Sequence, residues 1–344
     1  NTAIGSVAGA SVTGIRNVAV GTSIGANISG NSNTAVGSQS TYFIDSVSAD
    51  GVINQIEGCP GCSWAGGGSY VTGSANVSLG SASGWNVLGD RNVAIGGVRA
   101  GSRVTGSRNI SVGTWTGFNI SGSDNLAMGS YSGQYVTGDR NFTYGALAGN
   151  HVNGTDNIAF GRSSGNNITA NRAISFGTNA NASKDDAIAI GTNASTSIAN
   201  NVALGANSVA NSKAVQVNDA SIPSVIATLN ADGTTTYTAG PDIIYSGFAG
   251  TASGVVSVGK AGAERQIINV APGKITANST DAINGSQLYA IASQVSAIGG
   301  SITNIVNNAQ THYFSVKSTD KAAGSNYAND GATGTNSLAA GVNS

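Results

Sequence analysis

The sequence predicts an all-β protein, a parallel β-roll that gives way to a short coiled coil. Three observations carry that expectation: a five-residue phrase repeated at nearly constant spacing, a second apolar position locked to it, and a terminal run of apolar residues at heptad spacing. The phrase appears first as Asn1-Thr-Ala-Ile-Gly5 and returns as Asn17-Val-Ala-Val-Gly21, Asn33-Thr-Ala-Val-Gly37, Asn76-Val-Ser-Leu-Gly80, Asn92-Val-Ala-Ile-Gly96 and onward to Asn201-Val-Ala-Leu-Gly205. Its closing glycines stand 16 residues apart from Gly113 to Gly177, and 14 apart from there to Gly191 and Gly205. Fixed spacing of this kind is the signature of a repeat architecture.

Inside each phrase the second and fourth residues are mostly bulky and apolar, and the third is Ala, Ser or Thr, an alternation that reads as a short strand with two faces. A second apolar residue follows eleven positions after the phrase opens, at Val12, Ile28, Ile44, Val87, Ile120, Val136, Val152 and Ile168, with Val104 in the 17-residue repeat. Glycines such as Gly14, Gly122 and Gly138 come just after it, where a tight turn needs positive φ. Two strands and their turns make one coil. A coil cannot bury its own apolar face, so coils must stack at roughly 4.8 Å per rung, and twelve of them give a rod of roughly 58 Å. The apolar rung positions are expected inside, and the small third-position face is expected to meet its copies on neighbouring chains. The first-position asparagines are expected to form a ladder, each bonded to the next. Triplets such as Asn27-Ile-Ser29 and Asn167-Ile-Thr169 follow the repeat phase, so a ladder or turn role is preferred to glycosylation.

The roll is expected over 1–218, with an insertion at about 45–75, because Gly37 to Gly80 spans 43 residues, one period plus 27. Ile44 is expected to hold the rung position before it. Residues 219–263 read as a β-rich connector with Ile222-Pro223 and Gly240-Pro241, 264–287 as a neck, 288–309 as a coiled coil, and 310–344 as the start of a further head-like domain. Leu288, Ile291, Val295, Ile298, Ile302 and Ile305 are spaced 3, 4, 3, 4, 3, a heptad seam whose isoleucines disfavour a two-stranded coil.

The 344 residues include 50 glycines, and the 15 basic against 16 acidic residues leave a net charge of −1. No basic stripe is present for nucleic acid and no polybasic cluster for a membrane surface. No apolar run is long enough to insert this fragment into a bilayer. The chain opens in mid-pattern without a leader-like start, the mark of an excised or mature fragment. Its only histidines, His151 and His312, lie far apart, and no hydrolase elbow, zinc-protease or phosphate-loop motif occurs. The expectation is a protein that is not an enzyme and takes no cofactor or metal. Cys59-Pro-Gly-Cys62 is read as a local disulfide in the insertion, since no second pair exists to complete a zinc site. Aromatics outside the rung phase, namely Trp64, Tyr70, Trp115, Phe118, Tyr131 and Tyr135, are the ligand-surface candidates, with the insertion favoured because long loops on rigid scaffolds carry function.

The Asn-x-Ala-x-Gly rungs, then Glu264-Arg-Gln-Ile-Ile-Asn-Val-Ala, then Thr280-Asp-Ala-Ile-Asn-Gly-Ser-Gln-Leu288 and its heptads resemble the head, neck and stalk of trimeric autotransporter adhesins with YadA-like heads. The resemblance spans nearly the whole chain and is most specific in the neck. It implies a left-handed parallel β-roll, three copies around one axis, narrowing through the neck to a parallel trimeric coiled coil. It also implies a fragment that lies outside the cell, anchored at the bacterial surface through a C-terminal outer-membrane domain absent here. The partners implied are the chain itself, as a homotrimer, and an extracellular matrix protein, host receptor, sister adhesin or abiotic surface, in roles of attachment, autoaggregation, biofilm formation and virulence. Arg265 and Asp281 are assigned to inter-chain contacts in the neck, Asp281 also as a cap for the following helix. The rungs depart from the best-known heads in being mostly 16 residues rather than 14. A β-solenoid tailspike that binds or processes polysaccharide is the alternative, which would need clustered carboxylates; Asp124 and Asp156 instead share one turn phase.

Overall fold

A computed structural model describes residues 1–37, 67–230 and 234–308, together with 335, 336, 338 and 340. It divides into two compact units, 1–267 and 268–344. The first is built on a parallel roll. Every phrase forms a strand of three or four residues, beginning with Thr2–Ile4 and Val18–Gly21 and ending with Val202–Leu204, and each pairs in register with the next phrase. Among the described residues these make one 13-stranded sheet, closed at its far edge by Val256–Ser257. A second parallel sheet of two-residue strands runs beside it from Val71–Thr72 to Ile168–Thr169, and single bridges from Thr13 to Ser29 and from Ser29 to Thr72 carry it back to the first rungs.

The core is a single file. Ile28, Val71, Val87, Val104, Ile120, Val136, Val152 and Ile168 stack one per rung between the sheets, all fully buried. Opposite them lie the third residues of the phrases, Ala19, Ala35, Ser78, Ala94, Ser111, Ala127 and their successors, also buried. The space between sheets admits one branched residue from the short strand and only a small one from the long strand. The face assignment is therefore the reverse of the expectation. Small third-position residues point into the roll rather than toward neighbouring chains, while the bulky second and fourth residues point out, as at Ile95, Tyr144, Ile158 and Phe176.

The expected asparagine ladder is present. The Asn33 amide and side chain both donate to Asn17 Oδ1, at 2.9 and 3.1 Å, and the same pair of bonds recurs from Asn76 to Asn33, Asn92 to Asn76, Asn109 to Asn92 and on to Asn157. Each side-chain nitrogen also donates to a turn carbonyl, as Asn109 does to Gly122 O at 2.9 Å. The Asn33–Asn76 step shows that the ladder crosses the insertion unbroken. It stops where Ala173 and Ala187 replace Asn, on the steps where the rung shortens to 14 residues, and Asn201 takes it up again by accepting from Val255 N at 2.9 Å. That bond fixes the register of the returning strand Val256–Ser257.

The insertion is placed differently from the expectation. Ile44 lies outside the described residues, and the core position expected for it belongs to Val71, whose strand pairs with Val87–Leu88. Residues 67–75 are ordinary roll, so the added chain falls between Gly37 and Gly67. Cys59, Cys62 and Trp64 all lie outside the described residues. Between Val202–Leu204 and Val256–Ser257 the chain makes an excursion, a long two-stranded antiparallel ribbon in which Asp219–Ile222 pairs with Ile243–Ser246 and Val225–Leu229 with Thr235–Ala239.

The second unit contains helix α1, Gly285–Asn308, on the residues that the heptad spacing marks. Its cap is Asn284, not Asp281. Asn284 Oδ1 accepts from the Gln287 amide at 3.4 Å and Gln287 Oε1 accepts from the Asn284 amide at 3.1 Å, a reciprocal capping box. Asp281 instead accepts from Lys274 N at 3.0 Å and closes a turn. The position four residues before the helix is too far from its first free amides to cap them.

Replacing Asn109 by Ala strands buried donors on the rungs either side, and is expected to cost roughly 2–4 kcal/mol. Asn153→Ala, on the exposed side of the short strand, should stay within about 0.5 kcal/mol. Chemical denaturation of the two variants checks the contrast.

Candidate ligand edge and apolar seams

Three exposed surfaces follow from the rung geometry. The first is the outer face of the long sheet, two columns of side chains wide. Along its fourth-position column Tyr144, Phe160 and Phe176 stack ring on ring, at centroid separations of 4.8 and 4.7 Å and within 9° of parallel. The outer face of the second sheet is different in kind. Its exposed column runs Thr72, Leu88, Thr105, Ser121, Thr137, Asn153, Thr169, polar at all but one rung. One face of the roll suits water and the other does not. Helix α1 repeats the pattern: Leu288, Ile291, Val295, Ile298, Ile302 and Ile305 are 56–66% exposed.

The second surface is the turn that joins the long strand to the short one. Its two outermost positions on each rung are left-handed; Trp115, Tyr131, Tyr135 and His151 all have φ near +57°. The conformation repeats on every rung, so side chains at equal phase are held parallel. Trp115 stacks on Tyr131 at 6.2 Å and 5°, and Tyr135 on His151 at 4.8 Å and 13°. The Arg99 guanidinium lies 4.6 Å from the Trp115 ring centre, and Arg103 lies 5.6 Å from Phe118. Tyr131 and Tyr135 remain exposed, as does His151. Phe118 is 4% exposed, wedged edge-on between Trp115 and Tyr135. It is a packing residue, and its place among the ligand candidates is corrected: the position before the left-handed residue points inward, where a large ring fills the corner of the roll. Tyr70 is half-buried and belongs to the same edge rather than to an inserted loop, set edge-on against Trp85 at 6.3 Å. Trp85, fully buried in the phase of Phe118, was not singled out from the sequence; its occurrence in that phase was the available signal. His151, Arg99 and Arg103 complete the edge.

The third surface is the opposite turn, after the short strand. It carries Arg108, Asp124, Arg140, Asp156, Arg172 and Asp186 in alternation, one per rung. Three bidentate ion pairs result, with Nε–Oδ1 distances of 2.5, 2.6 and 2.6 Å. Hydrogen bonding from its arginine, and then the attraction of that charge, holds each aspartate below the usual carboxylate range. A parallel column does the same for backbone amides: Asp90 accepts from Ser74 N, Asp139 from Ser123 N, and Asp185 from Asn171 N, each at 2.7 Å. The described acids of the regular rungs are thus turn residues bound to the next rung, not a cleft of free carboxylates.

Arg265 closes the last rung of its own chain. Its guanidinium donates to Ser208 Oγ at 3.0 Å and to the Ala206 and Val258 carbonyls, so the contacts the structure gives it are intra-chain.

Residues 266–311 match the family model described as the coiled stalk of trimeric autotransporter adhesin. The autotransporter adhesin BtaE of Brucella suis biovar 1 (strain 1330) is 49% identical over 74 residues, 21% of this chain and 9% of that protein. Two solved structures are also similar. The C-terminal YadA-like domain of BPSL2063 from Burkholderia pseudomallei is 38% identical with a TM-score of 0.28, over 37% of this chain and 53% of that one. The collagen-binding domain of the Yersinia adhesin YadA is 18% identical with a TM-score of 0.34, over 64% and 84%. The chain spans less than a tenth of the length of its curated relative.

The aspartate pKa values are lowered on folding, so the ion-pair column stabilises the roll above about pH 3.9, the unfolded value, and that contribution is lost as pH falls through the lower folded values. The melting temperature is expected to drop on acidification below about pH 4, and to drop less when Asp124, Asp156 and Asp186 are all replaced by Asn. Thermal melts from pH 2 to 7 at low salt check this; equal slopes would make the pairs solvated bystanders.

Proposed function

Taking the chain as a YadA-like part of a trimeric autotransporter adhesin, we propose that it is the head, neck and first stalk segment of a bacterial surface adhesin, working as a parallel homotrimer. The observation that carries this reading is the unpartnered apolar surface. The long sheet turns a strip of Val, Ile, Leu, Tyr and Phe outward along the roll, and helix α1 turns out a second strip at heptad spacing. A soluble chain with this much exposed apolar surface needs a partner. Copies of itself supply one at every rung and every heptad, and the family match of 266–311 to a trimeric stalk supports three of them. Ile275 with Gln287, Ile291, Gln294 and Val295 lines an open groove beside the helix that a neighbouring helix fits.

With the long sheet turned to its neighbours, the polar sheet and the turns face outward. The ligand surface in this reading is the aromatic edge of Trp115, Tyr131 and Tyr135, with His151 beside them. These rings are held rigid by stacking, so little rotamer entropy is lost when a partner covers them. The partner class is a matrix protein, a host receptor, a sister adhesin or an abiotic surface, and the role is attachment and autoaggregation at the bacterial surface, not catalysis. A polysaccharide-processing tailspike is disfavoured by the aspartates, which are engaged between rungs. Among the described residues no helix is long and apolar enough to cross a membrane.

Native mass spectrometry of the fragment should give three times 33.8 kDa. Ile298→Asp places three like charges at one buried level and should lower the melting temperature of the stalk; a stable monomer overturns the trimeric reading. Tyr131→Ala with Tyr135→Ala should leave the trimer intact and weaken binding of the purified trimer to matrix-coated plates by about tenfold, about 1.4 kcal/mol. Undiminished adhesion would move the ligand surface off this edge.

A further inference from the structure

The excursion 219–246 is a protein segment without a core. Asp219–Ile222 and Ile243–Ser246 form one half of a ribbon, and Val225–Leu229 and Thr235–Ala239 the other. Paired prolines interrupt both strands at the same level: Gly240 N donates to Ser224 O at 3.0 Å, and Pro223 and Pro241 sit on either side. At its base Gln216 donates to Gly250 O at 2.8 Å and accepts from Ala252 N at 3.0 Å. Every ribbon bond is therefore internal to the two strands, and both long edges lack a neighbouring strand.

Its side chains are unusual for a solvated ribbon. On one face of the base half, Ala220, Ile222, Ile243 and Tyr245 are cross-strand neighbours, and Ile222, Ile243 and Tyr245 are each about half exposed. Ile244, Val225, Ile226 and Tyr237 are exposed too. No basic residue occurs between Lys213 and Lys260. Soluble proteins blunt an open strand edge with lysine or cover it, and a lone two-stranded ribbon is at best marginally stable in water. This one has neither device within its own chain.

We propose that the ribbon is an inter-chain clasp, docking through its apolar face onto a neighbouring copy of this chain. The occupant follows from continuity. The ribbon leaves the roll after Val202–Leu204 and returns as Val256–Ser257, the next strand of the same sheet whose outward face is the apolar strip. In sequence it stands between that strip and the stalk segment. Both flanking elements are closed by copies in the proposed trimer, and each copy brings an identical ribbon to the same level. The asparagine that receives the returning strand, Asn201, anchors the ribbon's base to the last rung, so the clasp is carried on a fixed support. This inference rests on the homotrimeric reading but specifies a contact that reading does not require.

The test places a photo-crosslinking p-benzoylphenylalanine at Tyr245 in the full fragment, with a second variant carrying it at Tyr237. Illumination of the native trimer is expected to give covalent dimers on a denaturing gel from at least one variant, with the crosslink mapped to another copy by mixing light and heavy isotope-labelled chains. Backbone amides of 225–229 should exchange at least tenfold more slowly in the trimer than a solvated ribbon would. A trimer by native mass that yields only intra-chain adducts, or none, together with unprotected ribbon amides, overturns the clasp and leaves the trimeric reading standing. A monomer by native mass removes both.

Discussion

The narrow interior of the roll governs the rest. A coil of 14–16 residues leaves room between its two short strands for one branched side chain and one small one. The core is therefore a single column of Val and Ile facing a column of Ala, Ser and Thr. Every other large apolar residue in the phrase has nowhere to go but out. The outer strip on the long sheet is thus a consequence of the rung's size, and the need for neighbouring copies is built into the same five residues that make the strand. A larger coil would have absorbed that surface and left a monomer.

Stacking supplies what the thin core lacks. Each asparagine of the ladder is buried, yet its donors and acceptor are met by the rungs on either side and by a turn carbonyl. The turns are stacked by the same logic. Left-handed residues recur at fixed positions, and at Gly106 a side chain would run into the carbonyl of Gly122 one rung on. Where the position tolerates a Cβ, the residue is used: arginine and aspartate alternate on one edge, and rings stack on the other. Stability is distributed along the rod in nearest-neighbour terms, as in other solenoids, which explains how a 27-residue insertion and a 50-residue excursion between Asn201 and Val256 can be accommodated without loss of register.

Periodicity made much of this legible. The strand positions, the core column at Val87 to Ile168, the ladder and the helix at 285–308 all follow from spacing alone. The faces did not, because alternation tells that two sets of residues lie on opposite sides but not which side is inside. The habit of assigning bulk to the interior fails when the interior is one methyl deep. The insertion was misplaced for a related reason. Ile44 and Val71 both satisfy the apolar rung position, and only pairing with Val87 decides between them. Asp281 illustrates a local version: Asn284 and Asp281 are both good capping residues, and Gln287, three residues after Asn284, was the sequence signal that distinguished them.

The division of labour within a rung bears on how such a surface acquires specificity. Residues of the phrase are constrained twice, by the core on one face and by neighbouring copies on the other. The turn positions are constrained only in backbone conformation. Along one such column the residues run Arg99, Trp115, Tyr131, Leu147, Ser163, Asn179 with the same left-handed geometry throughout. Cationic, aromatic, aliphatic and amide side chains all fit there because the backbone, not the side chain, makes the inter-rung bonds: Trp115 N donates to Val98 O and Tyr131 N to Thr114 O, each at 2.9 Å. Chemistry on this edge can therefore change residue by residue while register and trimer seam stay fixed. Adhesive specificity has a physical reason to reside in the turn columns, where substitution costs the scaffold least.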